Sequence, residues 1–105
     1  MATTPRLAHN VFFKLKDASP EKVQALVEDC KKYLNVQPGI IFFAAGPRCE
    51  ELTRDVNDVD WHVGLHIVFI DKAAHDAYQE DATHNEFIAR NKANWASVRV
   101  FDSWV

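Results

Sequence analysis

The strongest constraint in this chain is a change of period near its start. Residues 7–16, LAHNVFFKLK, alternate, so His9, Val11, Phe13 and Leu15 share one face of an extended segment and Ala8, Asn10, Phe12 and Lys14 the other. Ser19-Pro20-Glu21 then has the form of a helix start: a serine N-cap, a proline where no amide hydrogen is needed, and an acid near the positive end of the helix. Val23, Leu26, Val27, Cys30 and Leu34 follow at helical spacing and form one apolar stripe. A half-apolar strand followed at once by an amphipathic helix has to fold one onto the other.

The remaining segments continue the pattern. Pro38-Gly39 ends the helix and begins a second strand, IIFFAAG. Residues 47–59 are polar and read as a long hairpin loop, a candidate functional rim. WHVGLHIVFI, residues 61–70, is the third strand. Asp71 caps a short helix over 72–80, the chain breaks at Asp81-Ala82, and a further helix is expected from His84 to about Ala93. Asn94 is expected to close it in the left-handed conformation. SVRVFDSWV forms the last strand. The order β-α-β-β-α(α)-β, with right-handed crossovers, predicts an α+β ferredoxin-like fold: a four-stranded antiparallel sheet with helices on one face.

A chain of 105 residues suits one domain, residues 1–105, with one core. A net charge of −3 and the lone basic pair Lys31-Lys32 on a helix argue against nucleic-acid binding. The stretch MATTPRLAHN has no apolar signal core, and no apolar run approaches the ~20 residues of a membrane helix. Cys30 on the helix stripe and Cys49 in a polar loop read as free thiols, which fits a reducing, cytoplasmic compartment.

If helices cover the face with Val11, Phe13, Trp61, Leu65 and Ile67, the opposite face has no cover within the chain. That face would hold Phe12, Val68 and Ile70, one of Ile41 or Phe43, and one of Val100 or Phe101, with Asn10, His62 and His66 among them. Such a patch is larger than a monomer ordinarily exposes, and a second copy placed by a two-fold axis is the simplest cover. The expectation is a homodimer whose sheets face each other as an α/β barrel.

Three residues stand out for chemistry. Thr83-His84-Asn85-Glu86 fits a capping box and places His84 in the first helical turn, where the helix dipole disfavours a charged imidazole. It reads either as a neutral base facing a pocket or as a local hydrogen-bonding residue. His9 interrupts an apolar inward row and needs partners for its ring nitrogens. Tyr78 follows Ala73, Ala74 and Ala77, small residues that leave room either for packing or for a ligand. His62-x-x-x-His66 is not a metal pair on a strand, where four residues span ~13 Å. His75, beside Asp76, is expected to be solvated. With three glycines and no phosphate-cradling motif, no cofactor or metal is expected.

LAHNVFFKLKD, PGIIFFAAGP, the long loop, DWHVGLHIVFID, AAHDAYQEDATHNEFI and VRVFDSWV, taken in order, resemble the stress-responsive A/B barrel (Dabb) domain family over about residues 8–104. The resemblance implies a dimeric α+β barrel with a pocket between sheet and helices, suited to a small apolar ligand. It implies pocket positions at His9, Val11, Val63, Tyr78 and His84. Enzymes with this domain include plant polyketide cyclases of the olivetolic-acid type, which close a ring by aldol condensation without a cofactor. Their strand and helix residues match His9, Tyr78 and His84, whereas a third-strand histidine of that pocket aligns here with Val63. The resemblance therefore implies either a ligand-binding module or a cofactor-independent enzyme, lyase-like with His84 as base or monooxygenase-like.

Overall fold

The computed structural model describes residues 4–105; the first three residues of the N-terminal stretch read above lie outside it. Strand β1 (Leu7–Leu15) leads into helix α1 (Pro20–Tyr33), then strands β2 (Ile40–Pro47) and β3 (Val63–Phe69). Helices α2 (Lys72–Glu80) and α3 (Ala82–Asn91) and a short 3₁₀ turn (Lys92–Asn94) precede strand β4 (Trp95–Trp104). The strands form one antiparallel sheet in the order β2-β3-β1-β4, the ferredoxin-like α+β arrangement.

Alternation in β1 is complete: Leu7, His9, Val11, Phe13 and Leu15 are buried and the residues between them are not. Their neighbours Val63, Leu65, Ile67 and Phe69 in β3 complete the sheet's share of the core, and Leu26, Val27, Cys30 and Leu34 supply the helical share. The caps at the first two helices follow the residue chemistry. Ser19 Oγ accepts from the Lys22 amide at 3.4 Å, and Asp71 Oδ1 from the Ala74 amide at 2.8 Å. Gly39 joins α1 to β2 with φ +88°, and a Cβ there would lie 2.6 Å from that of Ala74, so both the backbone and the close approach of α2 require glycine.

Several local expectations are corrected. Helix α3 begins at Ala82, not His84, because Asp81 caps it: its Oδ1 accepts from the Thr83 amide at 2.8 Å and also from the Thr83 hydroxyl. Thr83 is thus inside the helix and no capping box forms, although His84 remains in the first turn. Asn94 is not left-handed, since no residue but Gly39 has positive φ among those described. It instead bridges to β1's end, its side chain accepting from the Asp17 amide and donating to the Asp17 carbonyl, both at 2.9 Å.

The open face also differs in detail. A register shift between Ile40 and Phe42 pairs Phe42 with Val68, so Phe42 joins that face, while Phe43, opposite Ile67, packs against the core. Of the expected pair Val100 and Phe101, it is Phe101, opposite Asn10, that lies there. Trp61 precedes β3 and packs against Phe12 with ring centroids 4.8 Å apart, on the open face rather than in the helix-covered row. His62 also lies outside the strand, where its Nδ1 accepts from the Leu15 amide at 2.9 Å, and so it does not join His66. Among the described residues, no helix is long and apolar enough to cross a membrane.

Candidate functional site

A cavity of about 170 Å³ lies between the sheet and helices α2 and α3, and His9, Val11, Tyr78 and His84 all line it. Phe13, Leu65 and Phe87 make much of the remaining wall apolar, and Val98 and Val100 on edge strand β4 form its half-open rim. Val63 is elsewhere: it is fully buried between Phe13 and Pro47 in the strand pairing and does not line the cavity. The loop between β2 and β3 contributes nothing to this wall either; Asp58 ties it to β4 through Arg99 at 2.5 Å.

His9 enters the wall by the alternation of β1, which faces it toward the helices. Its Nδ1 lies 2.6 Å from Asp102 Oδ1, directly across the β1–β4 pairing. A carboxylate can only accept, so the neutral ring carries its proton on Nδ1 and leaves the Nε2 lone pair free. Burial holds His9 below the ordinary histidine pKa, and the hydrogen bond and charge of Asp102 only partly oppose it. The ring is therefore a neutral base of fixed tautomer at neutral pH.

Tyr78 comes from α2, the one residue of that helix with its side chain wholly in the core. Its ring sits edge-on to both His9, at 5.9 Å between centroids, and His84, at 4.8 Å. Burial raises its phenol, with the nearby Cys30 adding to the effect, so the hydroxyl stays protonated and able to donate. His84, on the first turn of α3, is held below the usual histidine range chiefly by burial and secondarily by His9. Its Nδ1 is buried with no hydrogen-bond partner, as is the indole nitrogen of Trp95, which lines the same cavity. Such orphaned groups are uncommon because each forfeits its hydration without replacement. The cavity thus gathers a base, a phenol donor and two unpaired polar atoms within an apolar wall.

Sequence reasoning missed Asp102 and Trp95. The signal for Asp102 was the single carboxylate of the last strand, but only the pairing of β1 with β4 reveals what it faces. His75, expected in solvent, is only partly exposed and packs against His9 at 5.1 Å between centroids and against Phe69 at 5.6 Å.

The profile of the Stress Responsive A/B Barrel Domain family, Dabb, matches residues 7–105. No match was found among curated proteins. Among solved structures, the chain is similar to a dimeric ferredoxin-like protein of unknown function from Thermobifida fusca YX (TM-score 0.81, 14% identity, 100% of this chain and 95% of that one). It is also similar to a Dabb family protein with a ferredoxin-like fold from Mesorhizobium loti MAFF303099 (TM-score 0.76, 25% identity, 95% and 96% covered). A third similar structure is a hydroxynitrile lyase from Passiflora edulis (TM-score 0.75, 16% identity, 95% and 93% covered).

Proposed function

Because the chain belongs to the stress-responsive A/B barrel (Dabb) family across residues 7–105, we propose that it is a homodimeric module that captures a small, mainly apolar molecule between its sheet and helices α2 and α3. The observation that carries this reading is His84 Nδ1, buried without a partner in the wall of an otherwise apolar cavity. A ligand with one hydroxyl or carbonyl group would satisfy that atom, and its apolar body would cover Val11, Phe13 and Leu65. At about 170 Å³ the space suits a single ring or a short acyl chain, since drug-sized ligands occupy roughly 300 Å³ or more. A second copy on the open face is supported by the exposure of Phe42 and Phe101, 53% and 56%, on an otherwise uncovered sheet. Neighbours of the same fold described as dimeric support it too. The free cysteines, Cys30 and Cys49, suit a reducing, cytoplasmic setting.

A second reading, cofactor-independent lyase chemistry, is favoured by the contact between His9 and Asp102. In it, His9 Nε2 takes a proton next to a ligand carbonyl, Asp102 stabilises the imidazolium that forms, and the Tyr78 hydroxyl donates to the developing enolate oxygen. The base is then His9 rather than His84, because of the two only His9 has its tautomer held by a carboxylate.

Native mass spectrometry of protein purified gently from its own source tests the binding reading. Two chains with a retained small molecule are expected, and His84→Ala should lose that molecule. Protein that carries nothing, and whose His9 and His84 resonances ignore a library of small aromatic alcohols and carbonyl compounds, would refute it.

A further inference from the structure

On the other side of His9 lies a second constellation. One ligand atom each from His9, His75 and Asp102 falls within 4.8 Å of the other two. The three come from β1, α2 and β4, and the fold alone unites them. We propose that His9, His75 and Asp102 form a binding site for a divalent transition-metal ion such as Zn²⁺.

The donor set suits that chemistry. Two imidazoles and one carboxylate match borderline ions that bind nitrogen and oxygen. Tetrahedral Zn²⁺ with bonds near ~2 Å spaces its ligands by about 3.3 Å, so the widest separation here closes by at most about 1.5 Å. The means of closing it are present. His9 is buried in the core, whereas the Asp102 side chain is 42% exposed at the sheet edge and has room to turn toward His75, which is 17% exposed on a helix flank. The cleft of about 240 Å³ lined by His75, Asp102 and Ser103 leaves an open fourth position for water or a further ligand.

A supporting contact orients His75. Its Nδ1 lies 3.1 Å from Asp76 Oδ1, while the other carboxylate oxygen accepts from Lys72 Nζ at 2.7 Å. With Nδ1–H donating to Asp76, the His75 Nε2 lone pair is free for the ion, the carboxylate–histidine–metal relay that metal sites ordinarily use. The same ion pair engages the ammonium of Lys72, the cation that lines the cleft.

Occupancy has a consequence for the cavity on the far side. His9 now points Nδ1 at Asp102, and that nitrogen is the one placed to take the metal. Binding there displaces the proton from Nδ1, so the neutral ring carries it on Nε2. The atom available to the cavity changes from acceptor to donor.

The test is isothermal titration of the full chain, freed of metal by a chelator, with Zn²⁺, alongside His75→Gln and Asp102→Asn. One site per chain is expected, with affinity at least tenfold lower in each variant. His9 and His75 ring-nitrogen resonances should move on titration while those of His66 stay. Thermal unfolding verifies that His75→Gln, which keeps a side chain of similar reach at this largely covered position, is folded, and Asp102→Asn provides a second, isosteric variant. Absence of saturable binding, or binding unchanged in both variants, would overturn the proposal.

Discussion

His9 and Asp102, 93 residues apart, meet at 2.6 Å because they are direct partners in the antiparallel pairing of β1 with β4. The contact joins a buried ring to a half-exposed carboxylate at the sheet's edge. It decides which ring nitrogen faces the cavity.

Replacing Asp102 by alanine leaves the buried Nδ1–H of His9 unpaired. A loss of about 1–3 kcal/mol in urea unfolding is expected, the usual cost of orphaning a buried polar group. The His9 pKa should fall further, because the hydrogen bond and charge that raise it are gone while desolvation remains. A proton NMR titration reads this directly, and a pKa that rises would contradict the assigned role.

Stability should decline as pH drops below about 6.5. His9, His66 and His84 are all held below the ordinary histidine value of 6.5 in the folded chain, mainly by burial. The unfolded chain therefore binds more protons between each folded pKa and 6.5, and stability rises with pH through that window and levels above it. Asp29, Asp58, Asp76 and Asp81, held below 3.8, add a separate loss in more acidic solution. Unfolding midpoints measured at successive pH values should show both steps, and His84→Gln should shallow the first.

His84→Leu separates function from stability. It removes a buried nitrogen that has no partner, so stability should hold or rise by about 1 kcal/mol. Capture of a small molecule should weaken at least tenfold, as seen by native mass spectrometry. A large loss of stability would show that the ring serves the core.

Gly39→Ala should cost more than a surface substitution. The φ of +88° alone penalises an L-residue by about 1–2 kcal/mol, and the new methyl meets the Ala74 Cβ at 2.6 Å. Thermal unfolding should show a midpoint lowered by several degrees. An unchanged midpoint would mean that α2 can retreat without loss.

Phe42→Lys places a charge on the open face of the sheet. If a second copy covers that face, sedimentation should shift from a two-chain to a one-chain mass, with the helical content retained. A two-chain mass in the variant would move the interface elsewhere.

The order of elements, the inward row of β1, the stripe of α1 and the caps at Ser19 and Asp71 were legible in the residues, because each depends on neighbours within a few positions. Local signals failed where two of them competed. Asp81 and Thr83 both suit a helix cap, and the aspartate wins because its carboxylate reaches both the Thr83 amide and the Thr83 hydroxyl. The β2 face was ambiguous because alternation cannot reveal a register shift, which appears only when Phe42 is paired with Val68.

His9, Tyr78 and His84 were marked by residue type and by family resemblance, but their convergence on one cavity is a tertiary result. So are the Asp102 contact, the approach of His75 to His9, and the removal of Val63 from the cavity wall. The sequence by itself determined which surfaces must be buried, since period and hydropathy are written along the chain. Only the folded sheet decided which polar groups meet, because pairing brings together atoms whose separation in sequence carries no local trace.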